Sequence, residues 1–173
     1  MRIILTGYMG SGKSVVGKAL ATKRGLPFLD LDEEIGKREG LGVSEIFASK
    51  GEIYFRRKET EVLKELLEQE EQFVLALGGG TPCYGKNLQL IKDSTGATSI
   101  YLKTGLLQLK QRLLNEKDHR PLIKDLGTPE VLEDFIRKHL FERSFYYNQS
   151  DLVVETDERS ISEIISEIIQ KLN

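Results

Sequence analysis

Residues 7–14 read Gly7-Tyr8-Met9-Gly10-Ser11-Gly12-Lys13-Ser14, which matches the pattern G-x-x-x-x-G-K-S. The apolar run Ile3-Ile4-Leu5 precedes this stretch, and a helix-forming segment that starts with Val15 follows it. A strand, a glycine loop and a helix in this order allow backbone N–H groups to surround phosphate oxygens. In such a loop the lysine reaches the β- and γ-phosphates, and the serine hydroxyl binds Mg²⁺. The stretch therefore predicts a nucleotide phosphate site rather than a glycine-rich turn that binds nothing.

The composition is typical of one small enzyme domain. The chain has 173 residues, 39% of them hydrophobic and 30% charged, and its net charge is −2. That charge argues against a nucleic-acid partner. Cys83 is the only cysteine, so no internal disulfide can form, and His119 and His139 have no metal-ligand spacing with it. We expect Cys83 to act as a small buried residue rather than as a reactive thiol.

The expected location is the cytoplasm. No apolar run in the sequence approaches the length of a membrane span. The first residues lead directly into a predicted strand, so we expect no signal peptide. We also expect a monomer, with no membrane partner.

Strands and helices alternate along the chain, which predicts an α/β protein with a mostly parallel sheet and right-handed crossovers. The predicted strands are residues 2–5, 28–31, 73–77, 99–102 and 152–155. The predicted helices are residues 13–24, 33–39, 52–70, 86–92, 106–114, 129–147 and 161–172. Ser44 is expected to cap a short turn, and Gly51 to interrupt the chain before the long third helix.

Two segments fall outside this regular alternation. One runs from about residue 32 to residue 57, between the second and third strands. The other, residues 115–128, is polar and contains Pro121 and Gly127. The second segment is either a solvated surface loop or a mobile lid over the phosphates. We favour the lid, because a kinase must exclude water from the transferring phosphoryl group.

Two carboxylates lie where the second strand is predicted to end, in Leu29-Asp30-Leu31-Asp32. Residues two apart on a strand face the same side, so Asp30 and Asp32 are expected to point together toward the ligand edge of the sheet. Asp30 could orient the water shell of Mg²⁺ beside Ser14. Asp32 could bind substrate hydroxyls and remove a proton from the attacking one. The alternative is that Asp32 only caps the following helix.

Arginines and glycines suggest an anionic substrate. Arg56 and Arg57 are neighbours on a predicted helix, so only one of them can enter a shared pocket, and both could instead be solvated surface charges. The glycines of Gly78-Gly79-Gly80 follow the third strand and allow close approach of a ligand, unless they form only a flexible turn. Three further arginines could supply planar forks for carboxylate or phosphate: Arg112, Arg120 and Arg143.

Together these residues resemble the shikimate kinases over nearly the whole chain. The matching segments are Gly7 to Ser14, Asp30-Leu31-Asp32, Gly51-Glu52, Phe55-Arg56-Arg57-Lys58-Glu59, Gly78-Gly79-Gly80, Arg120-Pro121-Leu122, Glu142-Arg143 and Tyr147. The resemblance implies a P-loop NTPase of the nucleoside monophosphate kinase-like fold, with three α/β/α layers and a five-stranded parallel sheet. It implies transfer of the γ-phosphoryl group of ATP to the 3-hydroxyl of shikimate, with Mg²⁺, on the route to chorismate and aromatic amino acids.

The resemblance also implies a division of the single domain and a set of site residues. The core would be residues 1–31, 71–114 and 129–173, the substrate-binding insert about 32–70, and the lid about 115–128. The implied ATP-binding residues are Gly10, Ser11, Gly12, Lys13, Ser14, Val15, Arg112 and Arg120. The implied shikimate-binding residues are Asp32, Arg56, Gly78, Gly79, Gly80 and Arg143. The implied catalytic residues are Lys13, Asp32 and Arg120, and the implied Mg²⁺ site is Ser14 with Asp30 acting through water.

The sequence departs from the family pattern in three places. Ser144-Phe145 replaces a stretch that often contains proline, and Glu155-Thr156-Asp157 stands where an aspartate commonly comes first. The third strand lacks the terminal aspartate of many P-loop proteins, which shifts the Mg²⁺ role to Ser14 and Asp30. Gluconate kinase and nucleoside monophosphate kinase remain alternative enzymes. A nucleotide-dependent switch, or a binding module without catalysis, is the alternative outside enzymes.

Overall fold

The computed structural model describes residues 1–116 and 122–173. Within them, the strands are β1 (Arg2–Thr6), β2 (Phe28–Asp30), β3 (Phe73–Ala76), β4 (Ala97–Lys103) and β5 (Leu152–Glu155). The helices are α1 (Lys13–Arg24), α2 (Leu31–Glu39), α3 (Val43–Glu68), α4 (Asn87–Asp93), α5 (Leu106–Asn115), α6 (Pro129–Tyr147) and α7 (Ile161–Leu172), with a 3₁₀ helix at Thr81–Cys83.

The five strands form one parallel sheet in the order β2-β3-β1-β4-β5. This confirms the predicted fold class. Leu5 of β1 and Asp30 of β2 are both in register with Ala76 of β3. The carboxyl ends of three neighbouring strands therefore meet at one edge of the sheet, where open α/β folds bind ligands.

The core lies on both faces of the sheet because neighbouring residues of each strand point to opposite sides. Ile4 and Leu75 pack with α2 and α3 on one face. Ile3 and Leu5 pack with α1 and α7 on the other. A third cluster lies under α5 and α6 and contains Tyr8, the second residue of the glycine loop. The loop is thus anchored to the core through its own side chain.

The start of α2 corrects one expectation. β2 ends at Asp30, and α2 begins at Leu31 rather than near Glu33. The Asp30 side chain accepts a hydrogen bond from the backbone N–H of Asp32 at 3.0 Å and so caps the helix. Asp30 is therefore the cap, and Asp32 lies in the first turn of α2. The prediction that both aspartates share one face of a strand was wrong, because the strand ends at Asp30 and Asp32 belongs to the helix. Both residues nevertheless line the same cleft at the ligand edge of the sheet.

The region before the third strand also differs from expectation. Ser44 does not cap a short turn: α3 begins at Val43, with Gly42 at its N-cap, and the Glu45 carboxylate accepts from the Gly42 N–H at 2.8 Å. Gly51 lies inside α3 with φ 81° and ψ 170°, a backbone conformation that favours glycine, and kinks the helix there. The helical backbone is therefore interrupted at Gly51, between two helical segments of α3, and this part of the prediction is confirmed.

The segment 115–128 is described only in part. Residues 117–121, which include Arg120, lie outside the described residues. After them, Leu122 is exposed, whereas Ile123 is fully buried in the cluster under α5 and α6. Among the described residues, no helix has both the length and the apolar character to cross a membrane.

Candidate active site

The glycine loop connects the end of β1 to the start of α1. Gly7 has φ 143°, and a Cβ atom there would lie 2.8 Å from the carbonyl oxygen of Leu102 on β4. A side chain at this position would therefore collide with the backbone of a neighbouring strand. Gly12 is the N-cap residue of α1, and it has no side chain that could accept a hydrogen bond from the first N–H groups of the helix. The first N–H groups of α1 are thus suited to an anionic ligand.

Lys13 is folded back onto this loop. Its Nζ donates hydrogen bonds to the carbonyl oxygens of Gly7, at 2.8 Å, and Tyr8, at 2.9 Å. The residue is buried, so the two carbonyl oxygens replace part of the water that its ammonium group loses. The positive charge is therefore held at the loop in a defined position, before any phosphate binds.

Ser14 and Asp30 form an oxygen-rich pair. The Ser14 hydroxyl donates to Oδ2 of Asp30 at 3.1 Å, while Oδ1 of Asp30 caps α2. A hydroxyl and a carboxylate are hard oxygen ligands, which suit Mg²⁺. Within the described residues, no group of three or more His, Cys, Asp or Glu side chains could hold a metal. The pair fits Mg²⁺ nevertheless, because this ion commonly takes one or two protein ligands and fills its shell with water and phosphate.

Asp32 is a carboxylate with a perturbed pKa. Burial, followed by the charges of Asp30 and Glu59, raises its pKa to about 6, although Lys13 and Arg56 act in the opposite direction. A base with this pKa is mostly ionised at neutral pH and yet accepts a proton more readily than an exposed aspartate. The side chain also lines the cleft beside the glycine loop. Its position and its pKa both suit a general base.

Arg56 is fixed on α3 by an ion pair that sequence reasoning missed. Its Nη1 contacts Oε2 of Glu59 at 2.9 Å, and Glu59 is only 1% exposed. The hydroxyl of Thr81 donates to Oε1 of Glu59 at 2.6 Å. Arg57, by contrast, is exposed on another face of the helix. The spacing of three between Arg56 and Glu59 was the available signal, since residues at i and i+3 are neighbours on a helix.

The three glycines after β3 lie between these groups. A Cβ on Gly78 would lie 3.3 Å from Oδ1 of Asp32, and a Cβ on Gly80 would lie 2.9 Å from Nη2 of Arg56. A Cβ on Gly79 would lie 3.6 Å from Nη1 of Arg143. The turn therefore approaches all three predicted substrate-binding side chains, and its lack of side chains leaves them room.

Arg143 reaches the same place from α6. Its guanidinium carbon lies 5.7 Å from the ring centroid of Tyr8. Tyr147, one turn further along α6, is buried and donates a hydrogen bond to the carbonyl oxygen of Gly79. His139, one turn before Arg143, pairs with the Tyr8 hydroxyl at 3.0 Å. Sequence reasoning assigned no role to Tyr8, Tyr147 or His139, because their contacts join residues far apart in the chain.

The single cysteine lies near the two arginines. Cys83 is half-buried, and burial raises the pKa of its thiol to about 11, while Arg143 and Arg56 oppose the shift. The thiol therefore stays protonated near neutral pH and is a poor nucleophile. This agrees with its expected role as a small packed residue.

A cleft of about 430 Å³ collects most of the predicted nucleotide and metal residues. It is lined by Gly10, Ser11, Gly12, Lys13, Ser14, Val15, Asp30, Asp32, Gly78, Gly79 and Arg112, among others. Arg112 on α5 donates to the carbonyl oxygen of Gly10 at 3.0 Å. Arg56, Gly80 and Arg143 adjoin this cleft at the glycine turn, and Arg120 lies outside the described residues.

A five-stranded parallel sheet with a phosphate-binding glycine loop between β1 and α1 defines a P-loop kinase of the nucleoside monophosphate kinase-like fold. The family model described as shikimate kinase matches residues 9–173. The chain belongs to the shikimate kinase family.

Curated and solved relatives agree with this assignment. The shikimate kinase of Flavobacterium psychrophilum is 47% identical over 168 residues, which cover 96% of each chain. The crystal structure of the shikimate kinase from Bacteroides thetaiotaomicron has a TM-score of 0.90 at 34% identity, over 99% of this chain and 98% of that one. The shikimate kinase from Acinetobacter baumannii, solved in complex with shikimate, has a TM-score of 0.86 at 34% identity, over 99% of this chain and 92% of that one.

Proposed function

We propose that this protein transfers the γ-phosphoryl group of ATP to the 3-hydroxyl of shikimate, which produces ADP and shikimate 3-phosphate. The observation that carries the proposal is the convergence of Asp32, Arg56 and Arg143 on the glycine turn at Gly78–Gly80, directly beside the P-loop. These residues suit a substrate that is a hydroxylated ring with one carboxylate. Asp32 can accept a proton from a hydroxyl group, and the two guanidinium groups can bind the carboxylate. Membership of the shikimate kinase family supports the same substrate.

Each group has a distinct task in the proposed reaction. Arg56 and Arg143 bind the ring carboxylate and so orient the ring over the Gly78–Gly80 turn. Asp32 accepts the hydrogen bond of the attacking hydroxyl and then its proton, for which a pKa of about 6 is well suited. Lys13 stabilises the negative charge that develops on the transferring phosphoryl group.

Mg²⁺ would be held by the hydroxyl of Ser14 and, through water, by the carboxylate of Asp30. When bound, the ion would neutralise charge on the phosphate oxygens of ATP. The two protein groups already hold each other at 3.1 Å, so their positions are set by contact between α1 and the end of β2.

Other parts of the proposal rest on the family resemblance. They are a binding role for Arg112 near the adenine, delivery of Arg120 to the phosphates by a lid at about 115–128, and a substrate-binding insert at about 32–70. Gly10, Ser11, Gly12 and Val15 would complete the phosphate site, since they line the same cleft as Lys13. We further propose a monomer that acts in the cytoplasm within aromatic amino acid biosynthesis.

An ADP-release assay with a panel of acceptors tests the proposal. Purified protein with ATP and Mg²⁺ would be supplied with shikimate, gluconate or a nucleoside monophosphate. We expect rapid ADP release with shikimate only, and a product identified by mass and NMR as the 3-phosphate. Faster turnover with another acceptor, or phosphate at a different hydroxyl, would contradict the proposal, and no turnover with any acceptor would favour a binding module.

A further inference from the structure

Tyr84 covers one face of the Arg56 guanidinium group. Tyr84 follows the 3₁₀ helix after the glycine turn, and its ring centroid lies 3.8 Å from the Cζ atom of Arg56. At this distance the planar guanidinium is in contact with the aromatic face, the arrangement that favours a cation–π interaction. The Tyr84 hydroxyl also donates to Oε1 of Glu52 at 3.1 Å. Glu52, one helical turn before Arg56, lies 3.7 Å from the Nε atom of Arg56.

The remaining contacts leave one part of the guanidinium group available. Nη1 is engaged by the buried carboxylate of Glu59 at 2.9 Å. Nε is buried, and among the described residues it has no hydrogen-bond partner. Nε instead faces the carboxylate of Glu52 at 3.7 Å and is enclosed by the protein. Nη2, which lies beside Gly80, makes no hydrogen bond to a described residue, so the contacts to Tyr84 and Glu59 hold the group while Nη2 remains a donor for an incoming carboxylate.

This arrangement reduces the entropy that binding would otherwise cost. An arginine side chain has many rotamers, and ordering it on binding weakens affinity. Glu59 fixes only one nitrogen, around which the planar group could still rotate. The Tyr84 ring lies against the plane itself and restricts that rotation. The two contacts thus act on different degrees of freedom.

We propose that Tyr84 is a positioning residue for substrate binding, which holds the Arg56 guanidinium in the plane that receives the carboxylate of the substrate. The inference deepens the proposed function and rests on it, because it takes Arg56 as the carboxylate-binding group. Tyr84 itself needs no contact with the substrate. Its effect is confined to substrates that carry a negative charge at that end.

Leucine and phenylalanine variants test this role. Tyr84→Leu removes the aromatic face, and we expect the KM for shikimate to rise about five- to thirtyfold, the factor for a partly buried cation–π contact. The kcat and the KM for ATP should change less than about twofold. Tyr84→Phe retains the ring and loses only the bond to Glu52, so it should restore most of the affinity.

Another arginine–tyrosine pair on the same helix provides a matched control. The Arg57 Cζ atom lies 5.3 Å from the ring centroid of Tyr54 on α3, and Arg57 is exposed. Tyr54→Leu removes this longer arginine–tyrosine contact, together with the hydrogen bond from the Tyr54 hydroxyl to Glu39, and leaves Arg56 and Tyr84 intact, so the KM for shikimate should stay within about twofold. Thermal unfolding of every variant would establish that each is folded at the assay temperature.

A neutral substrate analogue separates positioning from a general structural effect. With the carboxamide of shikimate, the KM should be the same for the wild-type protein and for Tyr84→Leu. Equal losses for both substrates, or a fall in kcat at unchanged KM, would overturn the inference. Arg56→Lys tests the underlying assignment independently: if it leaves shikimate affinity unchanged, the carboxylate role of Arg56 fails. If Arg56→Lys weakens binding and Tyr84→Leu does not, only the role of Tyr84 fails.

Discussion

Asp32 lies in an environment that strongly perturbs its pKa. The charges of Asp30 and Glu59 raise its pKa, whereas those of Lys13 and Arg56 lower it. Burial is the largest effect and favours the neutral acid, which raises the pKa to about 6. Removal of this carboxylate should therefore lower the rate of turnover and raise the stability of the folded protein at high pH.

Asp32→Asn retains the shape of the side chain and removes its ability to accept a proton. We expect kcat to fall by roughly 10²–10⁴, the usual contribution of a general base. In the wild-type protein, kcat/KM for shikimate should rise about tenfold per pH unit below pH 6 and level off above it, because only ionised Asp32 acts as base. The pH dependence of kcat/KM, measured for both proteins, tests this. If kcat/KM of the variant still rises with pH up to about 6, a group other than Asp32 causes that dependence.

The same substitution should stabilise the fold at high pH. A raised pKa means that the native state binds the Asp32 proton more tightly than the unfolded chain, so its ionisation costs stability as pH rises from about 4 through 6. Asp32→Asn removes this cost, and the free energy of unfolding at pH 8 should increase by up to about 3 kcal/mol. Urea titrations at pH 8 and pH 4 would show a gain at the higher pH only. A loss of stability at pH 8 would instead show that the charges of Lys13 and Arg56 stabilise the ionised carboxylate more than burial destabilises it.

At the level of secondary-structure elements, Asp30 connects two helices at the edge of the sheet. One of its oxygens accepts from Ser14 in the first turn of α1, and the other caps α2. This explains why α2 starts immediately after β2, with no connecting loop. Asp30 therefore has two roles, as the N-cap of α2 and as part of the proposed Mg²⁺ site, and substitutions are needed to separate them.

Asp30→Ala and Asp30→Ser separate capping from metal binding. Alanine cannot cap α2, so the free energy of unfolding should fall by about 1 kcal/mol. Serine is a good N-cap and should keep the stability close to that of the wild type, yet it supplies no carboxylate. Both variants should need a higher Mg²⁺ concentration for half-maximal turnover. Unfolding titrations and Mg²⁺ dependence measure the two effects, and an unchanged Mg²⁺ requirement in Asp30→Ser would exclude Asp30 from the metal site.

At the level of the whole molecule, the two arginines that we propose to bind the substrate carboxylate come from distant parts of the chain. Arg56 comes from α3 and Arg143 from α6, and both approach the glycine turn after β3. Binding of a carboxylate between them would therefore stabilise the contacts of two helices with the central sheet. The proposed role of Arg120 differs, because its contact would form only after nucleotide and substrate are both bound.

Arg143→Ala and Arg120→Ala should consequently separate binding from turnover. Loss of a charge-assisted contact at Arg143 should weaken shikimate binding to the nucleotide-free protein by roughly 1.5–3 kcal/mol. Arg120→Ala should leave this binary affinity nearly unchanged and lower kcat, since its contact belongs to the closed complex. Calorimetric titration of each variant and steady-state rates test the difference. Equal loss of binary affinity in both variants would contradict the division of roles.

Much of the fold could be predicted from local sequence. The ranges predicted for α1, α6, β5 and α7 agree with the structure, because their apolar periodicity and their end signals lie within the elements themselves. The boundary between β2 and α2 could not be predicted in the same way. Both aspartates in Asp30-Leu31-Asp32 are suitable caps, and local sequence does not distinguish them. In the structure Asp30 caps α2 and also accepts a hydrogen bond from Ser14, sixteen residues away.

The sequence by itself determined that this chain forms a P-loop with Lys13 and Ser14, on a parallel α/β sheet. A strand, a glycine loop and a helix that are consecutive in the chain need only local conformational preferences to form that loop. The tertiary structure alone decided the burial of Glu59, the pKa of Asp32 and the stacking of Tyr84 on Arg56. Each of these depends on which side chains exclude water from one another. That is settled by packing between α3, α6 and the turn after β3, whose residues are far apart in the sequence and share no local pattern.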